Sequence, residues 1–294
     1  MNDHKVVLIT GGCGAIGSCV VNYLKKTYTD TRFVNIDAIT YCARKENIEE
    51  PYDNYILYEG DICNVDFVRY IFKQEKPSLV IHLAAETHVD QSFGNSFRFT
   101  QTNIMGTHTL LECIRHIGGV KLFIHMSTDE VYGSLDTYDT PFTEDSPYRP
   151  NSPYSASKAS SDHWVRAYHE TYGLPTIITN CSNNYGPRQF PEKLIPLVIL
   201  NALEGKNLPV YGNGSNVRDW LHVLDHCRAL RFILSKGRPG ETYNIGGSAE
   251  RTNLEVVHSI CGLLDKFRPK KDRKYSDLIQ FVTDRPGHDQ RYAI

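Results

Sequence analysis

The sequence predicts an α/β protein, a doubly wound parallel sheet with helices on both faces and a smaller C-terminal lobe. Three observations carry this. From residue 5 to about residue 181, short apolar runs rich in β-branched residues alternate with helical patterns, and such alternation implies parallel strands joined by crossover helices. The first run is followed at once by a glycine cluster. Beyond about residue 181 the chain turns polar and turn-rich, with no low-complexity linker and no internal repeat. Residues 1–181 are therefore expected to form the sheet domain carrying the reactive groups. Residues 182–294 are expected to form a substrate-binding lobe packed on it, with some strands free to return to the sheet.

Taken in order, Lys5-Val6-Val7-Leu8-Ile9-Thr10 is the first buried strand. Gly11-Gly12-Cys13-Gly14-Ala15-Ile16-Gly17 follows, then a helical pattern to about Lys26. Glycines between a strand and a helix allow a tight turn, let a pyrophosphate approach bare backbone and aim a helix N-terminus at it. A second strand, Arg32 to Asp37, ends in an acid twenty residues beyond Gly17. An acid there accepts hydrogen bonds from an adenosine ribose and repels a 2′-phosphate, which favours NAD over NADP. Tyr55 to Ile62 reads as a third strand and turn, and Val65 to about Lys73 as a helix. Leu79 to Ala84 is a fourth strand, ending in small residues against which a cofactor can lie. A helix from about Phe97 to Ile117 stops at Gly118-Gly119. Lys121 to Met126 is the fifth strand and Thr176 to Asn180 the sixth, with a helix from Tyr154 to about Tyr172 between them. This is a Rossmann-type arrangement, which binds ligands at the C-terminal ends of its strands. His82 and His125 lie inside strands and read as core residues.

The chemistry is concentrated after the fifth strand. Ser127-Thr128-Asp129-Glu130-Val131-Tyr132-Gly133 offers hydroxyls and two adjacent carboxylates, and Tyr154 and Lys158 are four apart, on one face of a helix. A phenol beside an ammonium is expected to have its pKa pulled down, so that it can take a proton from a sugar hydroxyl near neutral pH. Neighbouring acids with opposite duties need separated pKa values. In an extended strand Asp129 and Glu130 would face opposite ways, so the chain is expected to turn near Thr128.

The bulk numbers narrow the field. With 294 residues, 40% hydrophobic and 22% charged, the chain can bury a large core. A net charge of −2 provides no broad surface for nucleic acid or anionic membrane. Eight scattered cysteines without a CxxC pair read as reduced thiols of a cytoplasmic protein. The histidines contain no HExxH, so no metal is expected. No signal peptide or long apolar span is evident.

With the glycine turn, Asp37, Ser127 to Gly133 and Tyr154-x-x-x-Lys158 in view, the chain resembles the extended short-chain dehydrogenase/reductase family. Within it the chain is similar to the nucleotide-sugar 4,6-dehydratases that act on dTDP-glucose or UDP-glucose. Ser182-Asn183-Asn184-Tyr185-Gly186-Pro187, Phe190 to Pro196 and Asp284 to Asp289 carry the same likeness. It implies an enzyme, a hydro-lyase that holds NAD and serves deoxysugar synthesis such as that of rhamnose. It also implies a homodimer in which the helices 97–117 and 156–172 pair across a two-fold axis. The implied catalytic residues are Thr128, Asp129, Glu130, Tyr154 and Lys158. Gly11, Gly14, Ala15, Ile16, Gly17, Asp37, Thr40, Asp61, Ile62, Ala84 and Ala85, with Tyr154 and Lys158, are expected around the cofactor. His88, Asn184, Glu192, Lys193, Leu194, Tyr211, Asn213, Arg218, Asn253, Arg285 and His288 are expected around the nucleotide sugar. Of these Arg218 suits phosphate oxygens best, and Tyr211 is placed to pack on the base.

The sequence also departs from the family pattern. Ala38 and Ala43 stand where a Lys and a Gly are usual, Gln91 where an Arg is, and Arg188-Gln189 where the bacterial dTDP-glucose enzymes have Tyr-His. Gln189 leans the base toward uracil. The chain ends at Tyr292-Ala293-Ile294, where the family runs on through further helices. Two rival readings are a 4-epimerase, which lacks the acid pair, and a non-catalytic cofactor sensor, which commonly lacks the Tyr-Lys pair.

Overall fold

The computed structural model describes residues 4–51 and 53–294. The first six strands follow the expected order: β1 (Val6–Thr10), β2 (Arg32–Asp37), β3 (Tyr55–Glu59), β4 (Leu79–His82), β5 (Leu122–Thr128) and β6 (Thr176–Cys181). The polar half adds β7 (Asn183–Tyr185), β8 (Leu208–Tyr211), β9 (Val217–His222), β10 (Thr242–Ile245), β11 (Glu250–Thr252) and β12 (Ile279–Val282). One seven-stranded sheet runs β3-β2-β1-β4-β5-β6-β10, with every neighbouring pair parallel. The order reverses between β1 and β4, which opens the crevice where such sheets bind ligands.

The helices are α1 (Ala15–Thr27), α2 (Val65–Glu75), α3 (Val89–Gly94), α4 (Ser96–Phe99), α5 (Thr107–Ile117), α6 (Pro153–Tyr172), α7 (Leu194–Glu204), α8 (Val223–Lys236) and α9 (Asn253–Phe267). Alternate strand residues serve two cores, because successive side chains on a strand point to opposite faces. Val7, Ile9 and Phe33 pack with Val20 and Leu24 of α1 and Cys227 and Leu230 of α8. Leu8, Val34 and Ile36 pack with Phe72 of α2, Leu110 and Leu111 of α5 and Val165 of α6.

Two details differ from the simplest sequence reading. The helix expected over 97–117 contains a π-helical stretch, Thr100–Gly106, between α4 and α5. Inside it, Asn103 accepts the Glu86 N–H (2.9 Å) and donates to the Glu86 carbonyl (3.1 Å) and to Ser157 Oγ (2.8 Å). The second half also has its own core of Val198, Leu208, Val257 and Tyr275, built from β8, β12, α7 and α9. Yet β10 pairs with β6 and α8 packs under the large sheet. The change of texture near residue 181 is therefore one of composition, and the chain recrosses between the two halves in space.

Candidate active site

The site forms where strand ends meet the second lobe, in a cavity of about 520 Å³. Every residue expected around the cofactor lines it: Gly11 to Gly17 of the turn (Gly11, Gly14, Ala15, Ile16, Gly17), Asp37, Thr40, Asp61, Ile62, Ala84, Ala85, Tyr154 and Lys158. The turn is glycine for steric reasons. Gly11 has φ +72°, and a Cβ there would lie 2.7 Å from the Ala84 backbone; one on Gly17 would lie 2.0 Å from the Gly11 carbonyl oxygen. The first turn of α1 has no side-chain cap and no acidic residue, so its amides face the cavity as anion donors. At the end of β2, Asp37 accepts the Cys13 and Ile39 N–H groups, each at 2.8 Å. Bare backbone, open amides and a strand-end carboxylate fit a dinucleotide with a ribose diol. Ala38 and Ala43, the departures from the pattern, line the same wall.

Catalysis is built on the end of β5 and the start of α6. Thr128 is extended (φ −143°) and its hydroxyl accepts the Glu130 N–H at 3.3 Å. The chain then turns out of the strand as one 3₁₀ turn, Asp129–Tyr132. The expected turn is thus present, and Thr128, Asp129 and Glu130 all line the cavity. Asp129 is 1% exposed, and its Oδ2 has no partner among the described residues. Burial raises its pKa well above the carboxylate range, and the Glu130 charge adds to this. Burial raises Glu130 too, but the Arg218, Arg285 and Lys193 charges pull it back. The two acids are thereby separated in the sense the chemistry needs, Asp129 as acid and Glu130 as carboxylate.

The Tyr154–Lys158 expectation needs a correction. Ser152 caps α6 with Pro153 at its first position, so Tyr154 enters in the first turn with Lys158 one turn later on the same face. Instead of being pulled down, the Tyr154 phenol is pushed well above its ordinary value, first by burial and then by the Glu130 charge. The Lys158 ammonium donates to the Met126 carbonyl at 2.7 Å, and burial lowers its pKa. Spacing on a helix gives the shared face, but not the loss of solvent around both groups.

The residues expected around the sugar nucleotide divide in two. Asn184, Glu192 and Lys193 line the cavity, and Lys193 Nζ donates to the Thr87 carbonyl at 2.9 Å. His88 stands behind Glu192, with Nε2 3.8 Å from its carboxylate, and Leu194 packs against the second half's own core around Val198 and Leu208. Arg218 is buried; it donates to the Val217 and Asp289 carbonyls, lies 4.3 Å over the Tyr292 ring and is near enough to act on both catalytic acids. Arg285 pairs with Asp90 at 3.2 Å. Tyr211 donates to the same carboxylate (3.3 Å) and meets the His288 ring edge-on, while His288 binds Asp284 at 2.6 Å. These three form a cluster beside the cavity rather than in its wall. Asn213 caps its own turn by accepting the Ser215 N–H, and Asn253 starts α9, its N–H bonded to the Asn216 carbonyl; neither lines the cavity.

Some lining residues were not among those expected around cofactor or sugar nucleotide, although Ser182 and Asn183 sit in a family-like segment and Gln189 was noted as a departure. Ser182, Asn183 and Gln189 reach the cavity wall and carry buried oxygens with no partner among the described residues; their signal was the polar run after β6. Arg98, paired with Glu86 at 2.7 Å, gave no signal, since only the fold brings it to the site. His82 is a satisfied core residue as expected, bonded to Thr10 (2.7 Å) and Thr107 (2.9 Å). His125 is buried as well, but its Nδ1 has no partner among the described residues.

Comparison with known proteins agrees with this geometry. The family model described as GDP-mannose 4,6 dehydratase matches residues 8–294. The chain is 54% identical over 303 residues to the dTDP-glucose 4,6-dehydratase of Neisseria meningitidis serogroup B, covering 99% of this chain and 85% of that protein. It is 52% identical over 306 residues to dTDP-glucose 4,6-dehydratase 1 of Escherichia coli K12, covering 98% and 84%. Among solved structures, the dTDP-glucose 4,6-dehydratase of Bacillus anthracis in complex with NAD superposes with TM-score 0.88 at 47% identity, covering 99% of this chain and 87% of that one. The UDP-glucose 4-epimerase of Thermotoga maritima shares the fold (TM-score 0.87, 98% of this chain and 90% of that one) at only 29% identity. The chain belongs to the GDP-mannose 4,6 dehydratase family, the short-chain-dehydrogenase-type nucleotide-sugar 4,6-dehydratases.

Proposed function

We propose that this protein is an NAD-dependent dTDP-glucose 4,6-dehydratase, converting the glucose nucleotide to its 4-keto-6-deoxy derivative with loss of water. The observation that carries the reading is Asp129: a buried carboxyl with an unpartnered oxygen, beside Glu130 and in the same cavity as Tyr154 and Lys158. NAD, held by the glycine turn and Asp37, supplies transient oxidation at sugar C4 and returns the hydride at C6, so there is no net redox change. Tyr154, with Thr128 beside it and Lys158 as the nearby cation, takes the O4 proton. A 4-ketone acidifies the C5 hydrogen, which Glu130 removes, and Asp129 in its protonated form donates to the departing C6 hydroxyl. The cationic side of the cleft, Lys193 and Arg218 with Asn184, is assigned to the diphosphate. Glu192, Arg285, Tyr211 and His288 are assigned to the sugar nucleotide on the same reading.

The close relatives bear dTDP-glucose names, which favours thymine over the lean toward uracil drawn from Gln189. Gln189 Nε2 is engaged with the Asn184 carbonyl at 2.9 Å, so it organises the cavity wall as much as it faces a base. The same reading makes the protein a cytoplasmic homodimer. Its support is the free state of all eight cysteines and an exposed apolar strip on α4 to α6. No helix among the described residues is long and apolar enough to cross a membrane. Incubation with dTDP-glucose deuterated at C4 should place the label in the product methyl group, with faster turnover than on UDP-glucose. Product whose methyl lacks the label would refute the mechanism, and a galactose nucleotide as product would make the protein an epimerase.

A further inference from the structure

We propose that Asp162 is a positioning residue for the reaction, a buried counter-charge that holds Lys158 as an ammonium and, through Ser127, fixes the strand end that carries Thr128. The inference rests on the functional reading above and extends it to a residue outside the cavity wall. Tyr154, Lys158 and Asp162 follow one another at intervals of four on α6, so all three share one face, and all three are buried. Asp162 is 1% exposed, a burial that a carboxylate tolerates only with partners. One oxygen accepts the Ser127 hydroxyl at 2.7 Å; the other accepts no hydrogen bond among the described residues, though it lies 3.1 Å from His125 Nε2. Ser127 precedes Thr128 at the end of β5, so Asp162 ties helix to strand directly beneath the reacting groups.

The charges around this position leave Asp162 one evident task. Lys158 and His163 face it from α6, Ser127 and His125 from β5, and Tyr148 and Tyr132 from the segment that follows β5. Burial drives His125 well below its ordinary value, with Lys158 pushing the same way, and His82 behind it is driven down too, so burial works against a positive charge on either imidazole. Among the described residues Lys158 has no carboxylate in ion-pair contact, only the Met126 carbonyl as acceptor. Burial favours loss of its proton, and the Asp162 charge opposes that loss; Cys181 of β6 faces Lys158 as well, but burial pushes that thiol up to about 12. Asp162 in turn is raised to about 6, by burial against the pull of Lys158 and Ser127. Without the carboxylate, Lys158 would shed its proton nearer neutral pH, and the cation that steadies a Tyr154 phenolate would go with it.

The test follows the titration of Lys158 by carbon-13 NMR of ε-labelled lysine, with its signal assigned by absence in Lys158→Met. In Asp162→Asn the Lys158 titration should fall by one pH unit or more, and Asp162→Glu should recover it. The alkaline limb of cofactor reduction by dTDP-glucose should move down with it. An unchanged Lys158 titration in a folded Asp162→Asn protein overturns the proposal, whatever the rate. If Asp162→Asn does not fold, the double variant Lys158→Met/Asp162→Asn decides. Recovered folding identifies the uncompensated ammonium as the fault, and continued failure to fold overturns the proposal. Should the wild-type protein reduce no cofactor with any glucose nucleotide, the functional reading fails, while the NMR titration still judges Asp162.

Discussion

Asp129 and Glu130 are adjacent in sequence but have opposite protonation duties, and their surroundings set which does which. Burial raises both and Arg218 pulls both back, but Glu130 is also pulled back by Arg285 and Lys193, whereas Asp129 is pushed further up by the Glu130 charge. The elimination step should therefore switch on as pH climbs through the raised Glu130 pKa and switch off as pH passes the higher value of Asp129. Glu130→Gln should still reduce bound cofactor on addition of dTDP-glucose, seen as absorbance at 340 nm, while product formation falls about 10²–10⁴-fold. Asp129→Asn makes a sharper claim, because the same burial that suits Asp129 to catalysis weakens the fold. A carboxyl whose folded pKa is raised adds its full stability only below its unfolded pKa, and that contribution is lost as pH rises toward the folded value. Asparagine does not titrate and escapes the loss. The variant should be inactive yet more stable than wild type at pH 7–8 by about 1–3 kcal/mol, with the gain vanishing near pH 3. A lower melting temperature for the variant at pH 8 would show that Asp129 is not held as a buried acid.

At the scale of elements, the glycine turn makes the strictest demand. A Cβ at Gly17 would stand 2.0 Å from the Gly11 carbonyl oxygen and 2.9 Å from Gly12 Cα, and neither is a movable side-chain end. Gly17→Ala should push α1 away from β1 and open the amide cradle. Protein purified from this variant should carry little or no dinucleotide, measured by release on heating, and added NAD should bind at least 100-fold more weakly. Full occupancy would place the cofactor elsewhere. This turn was legible in sequence because its constraint is local: strand, glycines and helix are contiguous. So was the turn after β5, since two acids meant for one ligand cannot remain in an extended strand. The π-helical stretch at Thr100–Gly106 was not legible, because its cause lies in what Asn103 reaches, the Glu86 backbone and Ser157. The Tyr154 phenol was misjudged for the same kind of reason. Its neighbours along α6 were visible, but the burial that outweighs them comes from the whole fold. Asn213 and Asn253 were expected around the nucleotide sugar, and only the fold shows the Asn213 side chain closing its own turn and Asn253 at the start of α9, away from the cavity wall.

For the whole molecule, the exposed apolar side chains are the remaining asymmetry. α5 and α6 bury Leu110, Leu111, Ile114 and Val165 against the sheet, which accounts for one face. Exposed next to them are Phe97 of α4 (75%), Met105 of the π-helical stretch (52%) and, on α6, Tyr172 (50%) and Trp164 (41%), with the Trp164 ring 4.7 Å from His108. Large apolar side chains grouped on one helical face signal a protein partner, and a second copy offering the same face gives a closed two-fold pair. The consequence for catalysis is direct, because α6 carries Tyr154, Lys158 and Asp162 on its inward side. Light scattering should give twice the 33.5 kDa chain mass. Met105→Glu with Trp164→Glu should weaken the pair at least 30-fold, since a lost interface hot spot costs about 2 kcal/mol or more. The monomer so produced should keep its far-ultraviolet circular dichroism but reduce cofactor more slowly, because α6 has lost the packing on its outer face. A wild-type monomer at micromolar concentration would leave that face to some other partner, and a monomeric variant with undiminished cofactor reduction would separate dimerisation from the site.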